Sequence, residues 1–124
     1  MTALATSLMG LGMPVPLATL VGTAIKSITG VGTAQGGSSP TVYAGDMAFL
    51  TTAASQTACT LDSSFPVGGE ADVYNITSTA GLLFPPTGCT IDNGSSNASV
   101  SIAQNRGRRI FRRSPTQFIT FYGA

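Results

Sequence analysis

The chain is poor in charged and titratable side chains. It has 124 residues, charged residues make up 9% of them, and it contains no histidine and no tryptophan. The absence of histidine excludes imidazole acid–base chemistry and the Ser-His and Cys-His nucleophilic pairs. The five acidic residues are scattered, and only Glu70 and Asp72 share one face of a predicted strand. We therefore predict a protein that is not an enzyme and that holds no cofactor.

Cysteine is also scarce, because Cys59 and Cys89 are the only two. Two thiols without histidine cannot complete a closed zinc site, so no metal site is predicted. Each cysteine is two positions from an aliphatic residue, Leu61 or Ile91, in a strand-like run. This spacing favours two buried free thiols over a disulfide.

Basic residues are absent before Lys26. A signal peptide needs a basic segment at its start. A membrane span needs about 20 uninterrupted apolar residues, whereas Gly10, Gly12, Pro14 and Pro16 interrupt the apolar run here. We therefore predict neither a signal peptide nor a membrane contact, and synthesis in the cytoplasm.

Residues 1–45 are predicted to form an N-terminal arm, extended or in short helices. Leucines at helical spacing favour a first helix, Pro16 can begin a second, and a Gly/Ser-rich linker occupies 30–45. Helices this short and apolar need a surface to lie on, which is either their own domain or a neighbouring subunit. The proposed anchors are Leu4, Leu8, Leu11, Met13, Leu17 and Leu20.

Residues 46–124 are predicted to form an all-β domain. Eight short runs with apolar residues at period two alternate with turns rich in glycine, proline and asparagine. This even spacing is typical of a β-sandwich, and we predict a jelly-roll-like one. A domain this small buries only about 60% of its unfolded surface. Together with the low charge, this favours an oligomer.

Five of the six basic residues lie in one stretch, Asn105 to Pro115. On a strand, Arg108 and Arg112 would share one face with Ile110, and Arg109 and Arg113 would share the other. The stretch therefore has no single basic face of the kind that nucleic-acid-binding proteins usually present. Two interpretations are favoured: a charged edge strand that resists edge pairing, or arginines that pair with carboxylates of a neighbouring subunit or of the capsid protein. DNA binding is the third interpretation and is less favoured.

The C-terminal half has a characteristic succession of turn and packing motifs. A strand ending in Val-Tyr-Asn is followed by Phe-Pro-Pro-Thr-Gly, Thr-Ile-Asp-Asn-Gly, Asn-Ala-Ser-Val-Ser-Ile-Ala, Gly-Arg-Arg-Ile-Phe and a final Thr-Gln-Phe strand. Residues 70–123 resemble small β-domains in structural proteins of tailed bacteriophages, notably capsid decoration (cement) proteins and head or tail fibre modules. The segment "LMGLGMPVPLATLVG" resembles the leader of short phage virion proteins.

The resemblance implies a non-enzymatic virion structural protein, commonly a homotrimer, whose partners are itself and the major capsid protein. We expect a cement protein on the outer capsid surface that stabilises the head lattice. The alternative is a tail, fibre or receptor- or carbohydrate-binding β-module of the same virion. Sugar-binding platforms favour exposed tryptophan and tyrosine, and this chain has no tryptophan and three tyrosines, which favours the assembly role.

Overall fold

The structure, a computed structural model, describes residues 25–122, which form two β-sheets and contain no helix. There are ten strands in this range. They are β1 (Ile25–Thr29), β2 (Thr41–Val42), β3 (Met47–Thr51), β4 (Ala58–Leu61), β5 (Glu70–Asn75), β6 (Gly81–Phe84), β7 (Thr90–Ile91), β8 (Val100–Ile102), β9 (Arg106–Ser114) and β10 (Gln117–Tyr122). The predicted all-β class is confirmed for the described residues.

All eight runs predicted as strands are strands, β3 to β10. In β3 the buried residues alternate as predicted, since Ala48 and Leu50 are both buried and apolar. Two further strands, β1 and β2, lie within the predicted arm and pair with β3 and β4. The proposed anchors from Leu4 to Leu20 lie outside the described residues.

The order of the strands differs from that of a jelly roll. The six-stranded sheet runs β1-β3-β5-β9-β10-β7 and the four-stranded sheet runs β2-β4-β6-β8. Strands β1 to β9 alternate between the sheets. Strands β1, β3 and β5 pair in parallel in one sheet, as β2, β4 and β6 do in the other. This parallel winding is that of a short β-solenoid. The jelly-roll topology was wrong because period two shows which residues face inward and carries no information on strand direction.

After β6, most of the strand pairs are antiparallel. Strand β9 pairs antiparallel with β5, β10 pairs antiparallel with β9, and β8 pairs antiparallel with β6. Antiparallel neighbours can be joined by tight turns. The turn at Pro115-Thr116 joins the antiparallel pair β9 and β10. Asn105 lies in the turn that leads from β8 in one sheet to β9 in the other, and it adopts φ 56°, a left-handed conformation that asparagine tolerates. The C-terminal third therefore ends the solenoid with hairpin-like pairing.

Two glycines of the predicted linker, Gly30 and Gly32, lie at a corner of the solenoid, where the chain passes from one sheet to the other. We call one such circuit through both sheets a coil. A Cβ at Gly30 would lie 2.6 Å from the carbonyl oxygen of Gln56 in the following coil, so no side chain fits there. Gly32 adopts φ 64°, which favours glycine. The Gly-Val-Gly sequence therefore forms a corner of the solenoid.

One apolar core lies between the sheets. Residues from both contribute, among them Leu50, Leu61, Leu83, Ile110 and Phe118, all buried. Both cysteines are buried and free, as the sequence predicts. Burial raises the pKa of the Cys59 thiol from 9.0 to about 12.

The Cys59 thiol gives an expected pH dependence of stability. Because the folded-state pKa is above the unfolded value of 9.0, its contribution is intact below pH 9 and is lost as the pH rises from 9 towards about 12. The free energy of unfolding should therefore fall in this window. Urea titrations at pH 8 and pH 10 will measure the fall, and Cys59→Ala should reduce it. An equal fall in Cys59→Ala would show that another group is responsible.

Candidate interaction surface on the six-stranded sheet

The side of the six-stranded sheet that faces away from the core carries large apolar side chains. Strands β3, β5, β9 and β10 are neighbours in that order, and every second residue of each points outward. We call this surface the outer face and define it by Met47, Phe49, Glu70, Asp72, Tyr74, Arg109, Phe111 and Phe121.

Strand register places one row of these side chains across four strands. Met47 is paired with Asp72, Asp72 with Arg109, and Arg109 with Phe121. Directly opposed residues lie close enough for their side chains to interact. The row therefore has a charged centre between two apolar ends.

Two aromatic pairs lie beside the charged centre. The rings of Phe49 and Tyr74 are edge-to-face at 6.1 Å, and those of Phe111 and Phe121 are stacked at 5.9 Å. Both geometries are favourable for aromatic rings. Each pair joins neighbouring strands, so the rings are held in place by the sheet.

Gly107 allows the Tyr74 ring to lie against the sheet. The two residues are paired across β5 and β9. A Cβ at Gly107 would lie 3.1 Å from Cδ2 of Tyr74, closer than ordinary contact. The glycine in Arg106-Gly107-Arg108 therefore leaves the space in which the ring packs.

The charged centre is an ion pair between Asp72 and Arg109. The Nε atom of Arg109 donates to Oδ1 of Asp72 at 3.1 Å, and Asp72 raises the pKa of the guanidinium. Because the pair is exposed, it contributes little to stability. Its groups retain hydrogen-bonding capacity towards a partner, since guanidinium carries five donors and carboxylate several acceptor sites.

The outer face surrounds a shallow depression of about 680 Å³. Phe121 is 59% exposed, Met47 42% and Tyr74 37%. Contiguous exposed apolar side chains with polar neighbours are typical of interaction sites. The aromatic residues, methionine and arginine of the outer face are also residue types that are enriched in protein interfaces.

The structure confirms the predicted division of the arginines between two faces of β9. Arg108 and Arg112 lie on the same side as buried Ile110, whereas Arg109 and Arg113 lie on the outer side. Arg113 donates to Oε1 of Gln117 at 2.6 Å. The four arginines are therefore not brought together in one patch.

Arg112 connects β9 to the turn after β4 and to the turn before β10. Its guanidinium donates to the carbonyl oxygens of Ser63, Phe65 and Pro115 and lies 5.1 Å from the centre of the Phe118 ring. Charged donors bonded to carbonyl oxygens and stacked on aromatic rings are stabilising. Its contacts lie within the chain and are structural.

Arg108 lies near the start of β9, and its side chain is hydrogen-bonded to β8 and β10. Its Nε donates to the carbonyl oxygen of Ser101 at 2.9 Å, and its guanidinium donates to Oγ1 of Thr120 at 2.8 Å. The carboxylate of Asp92 lies 3.7 Å from the same guanidinium and accepts from the backbone N–H of Thr120. These contacts link β8, β9 and β10.

The inward position of two arginines leads to a prediction about nucleic acid. The guanidinium groups of Arg108 and Arg112 are hydrogen-bonded within the chain. Of the two outward arginines, Arg109 is paired with Asp72. We expect no measurable binding of duplex DNA at physiological salt. Fluorescence anisotropy with a short labelled duplex checks this. Micromolar affinity that falls steeply as salt rises would contradict it.

The sequence indicates the aromatic part of the outer face only in β10, where alternation places Phe118 and Tyr122 on one face and Ile119 and Phe121 on the other. The pairing of Phe49 with Tyr74 across β3 and β5 was not predicted. A strand with apolar residues on both faces is expected to have other parts of the protein, or a partner, packed against each face. Within residues 25–122 the core covers Phe118, whereas Phe121 is exposed.

No protein-family model matches the chain, and no curated protein is significantly similar to it. In the described range, no three histidine, cysteine or acidic side chains are arranged to hold a metal ion. No helix in that range is long and apolar enough to cross a membrane.

Proposed function

We propose that the protein is a non-enzymatic structural subunit of a virion that binds other proteins through the outer face. The observation that supports this is the exposed row of Met47, Asp72, Arg109 and Phe121, flanked by ordered aromatic rings. Rigid aromatic side chains lose little conformational freedom on binding and contribute much of the energy of protein interfaces. The ion pair adds orientation, because a misaligned partner would leave the remaining donors of Arg109 and acceptors of Asp72 without hydrogen bonds.

Within this class we propose a decoration (cement) protein on the outer surface of a tailed-bacteriophage capsid. The resemblance of residues 70–123 to such proteins supports the location. The low charge of the chain supports an assembled state, and the proposed oligomer is a homotrimer that contacts the major capsid protein. The sibling role is that of a tail or fibre component.

Copy number in purified virions separates these roles. A mass-resolved protein gel should show copies near those of the major capsid protein if the chain decorates the head. A few dozen copies or fewer would indicate a tail or fibre. Absence of the chain from purified virions would contradict both.

Substitution on the outer face tests the proposed binding surface. Phe121→Ser should reduce the number of copies per particle by roughly tenfold or more, the loss expected for a central interface aromatic. Val67→Ser is the matched control, since Val67 lies in a turn and is 58% exposed, against 59% for Phe121. Equal occupancy of the two variants would show that the outer face is not the binding surface.

A carbohydrate-binding role is the second candidate. Tyr74 and Phe121 present exposed rings, and Asp72 between them can accept hydrogen bonds from hydroxyl groups. Neutral sugars bind through this combination of ring faces and polar groups. A glycan array with the wild-type chain tests it, and a signal abolished by Phe121→Ser would favour it over protein binding.

A further inference from the structure

The charged residues on the outer side of β5 and β9 are divided by strand. Glu70 and Asp72 lie on β5, whereas Arg109 and Arg113 lie on β9. These two strands are neighbours at the centre of the six-stranded sheet, with two strands on either side of them. The centre of the sheet therefore has an acidic half and a basic half of equal and opposite formal charge.

This division makes the outer face complementary to itself. Two identical faces that meet in a closed pair are related by a two-fold axis that lies in the plane of contact. An axis parallel to the strands, between β5 and β9, places β5 of each chain against β9 of the other, so acidic strands face basic strands. An axis across the strands would place β5 against β5 and β9 against β9, and like charges in contact are unfavourable.

The central row of the outer face matches position by position under the first axis. Strand register orders this row Met47, Asp72, Arg109, Phe121. Rotation about the middle of the row reverses the order in the partner. Asp72 then lies opposite the partner's Arg109, and Met47 lies opposite the partner's Phe121. All four positions meet a group of suitable chemistry, since methionine and aromatic rings make favourable contacts.

The central ion pair has hydrogen-bonding groups to spare for such a partner. Arg109 donates from Nε to Oδ1 of Asp72 at 3.1 Å. Among the described residues, the two Nη groups of Arg109 and Oδ2 of Asp72 have no hydrogen-bond partner. In the pair of chains, each guanidinium would donate to two carboxylates and each carboxylate would accept from two guanidiniums. Charges covered by the contact would therefore remain paired.

An aromatic ring lies next to the same axis. The ring of Tyr74 packs against Gly107, the residue paired with it across β5 and β9. Rotation brings the partner's Tyr74 to the same place, so the two rings meet across the axis. Rings that are partly exposed in the single chain would be covered there, and buried tyrosines near the middle of an interface contribute strongly to binding.

The remaining acidic residue also faces basic residues of the partner. Glu70 is paired with Phe111 within the chain, so rotation places it opposite the partner's Phe111. The partner's Arg109 and Arg113 lie on either side of that position along β9. Diagonal neighbours of this kind are within reach of long side chains, so the carboxylate of Glu70 has two cationic groups near it.

We propose that the partner of the outer face is a second copy of this chain, with β5 of each copy against β9 of the other. The inference rests on the proposed use of the outer face for protein binding and names the partner. A two-fold contact cannot by itself build the proposed homotrimer. It joins two single chains into a dimer, or two trimers formed through another surface into a hexamer.

Reversal of the central charges tests this arrangement. Asp72→Arg places arginine opposite arginine at two contacts, and Arg109→Asp places aspartate opposite aspartate. Each variant should raise the dissociation constant of the pair by at least about tenfold, so sedimentation velocity should give half the wild-type mass. An equimolar mixture of the two variants should recover the wild-type mass, because every arginine then lies opposite an aspartate.

The mixture separates contacts between chains from the ion pair within a chain. Both variants lack the internal ion pair and mixing does not restore it, so a recovered mass comes from contacts between chains. Arg106→Asp is the matched control for Arg109→Asp. It makes the same change of charge at an exposed residue of β9 whose side chain alternation places on the other side of the sheet, and it should keep the wild-type mass.

Three results would overturn the proposal. A wild type with the same mass as both single variants would leave the outer face to a different partner, such as the capsid protein. A mixture that does not associate, although the wild type does, would exclude the two-fold arrangement. An equal loss of mass in Arg106→Asp would assign the effect to net charge.

A further variant covers the case in which a single reversal prevents folding, which circular dichroism would detect. Asp72→Arg with Arg109→Asp in one chain keeps the internal ion pair and the complementary pattern with the charges exchanged. It should have the wild-type mass, and half that mass would overturn the proposal. Virions are not used in these measurements, so absence of the chain from virions would contradict the proposed function and leave the masses unchanged.

Discussion

Replacing Phe118 by alanine is expected to reduce the free energy of unfolding by about 3–5 kcal/mol, the range for a fully buried phenylalanine. Phe118 is completely buried, its ring packs edge-to-face on that of Phe65 at 5.3 Å, and Arg112 lies over it. The substitution leaves a cavity and also removes the ring against which the Arg112 guanidinium packs. Both effects act at the same end of the core.

Phe121→Ala is the matched control, because it removes the same ring from the same strand on the exposed side. We expect it to cost no more than about 1 kcal/mol, since its ring is already largely in water. Urea denaturation followed by circular dichroism measures both variants. A loss of less than about 1 kcal/mol for Phe118→Ala would contradict the packing described for the core.

Replacing Asn75 by leucine is expected to cost about 2–4 kcal/mol, because it removes a buried hydrogen-bonding group and leaves its partners unsatisfied. Asn75 is fully buried at the end of β5. Its Nδ2 donates to the carbonyl oxygens of Thr79 and Ile102, and its Oδ1 accepts from the backbone N–H and the hydroxyl of Thr77. These bonds hold the turn after β5 against β8.

Leucine has the same branched arrangement of side-chain heavy atoms as asparagine, so this substitution removes the hydrogen bonds without leaving a cavity. Asn93→Ala, in an exposed turn, is the control and should change stability by no more than about 0.5 kcal/mol. Thermal and urea unfolding of both variants will measure the difference. If Asn75→Leu were as stable as the wild type, the network around Asn75 would be dispensable.

The positions of strands β3 to β10 were predictable from the sequence because alternation and turn residues are local signals. Strands β1 and β2 were not predicted. Ile25–Thr29 follows an apolar segment with leucines at helical spacing, and Thr41–Val42 is too short to show a period. Strand direction depends on pairing between residues far apart in the chain, which local alternation does not specify.

The candidate surface was only partly predictable for a similar reason. The opposite faces of Arg108 and Arg109 follow from period two, and the sequence predicted them. That Arg112 would bind the carbonyl oxygens of Ser63 and Phe65 depends on β9 lying over the turn after β4, which is a tertiary relation. The row from Met47 to Phe121 likewise exists only once four strands are in register.

The unequal ends of the solenoid limit the forms of self-association open to it. Head-to-tail stacking of such units produces an open filament, and it requires a long accepting edge at each end. Among the described strands, β1 has five residues, whereas the edges at the other side, β7 and β8, have two and three. Short edges are a common protection against further pairing. Self-association through strand edges would therefore end at a closed pair of chains, so the proposed homotrimer requires a different surface, and a protein present in many copies would remain free of fibres.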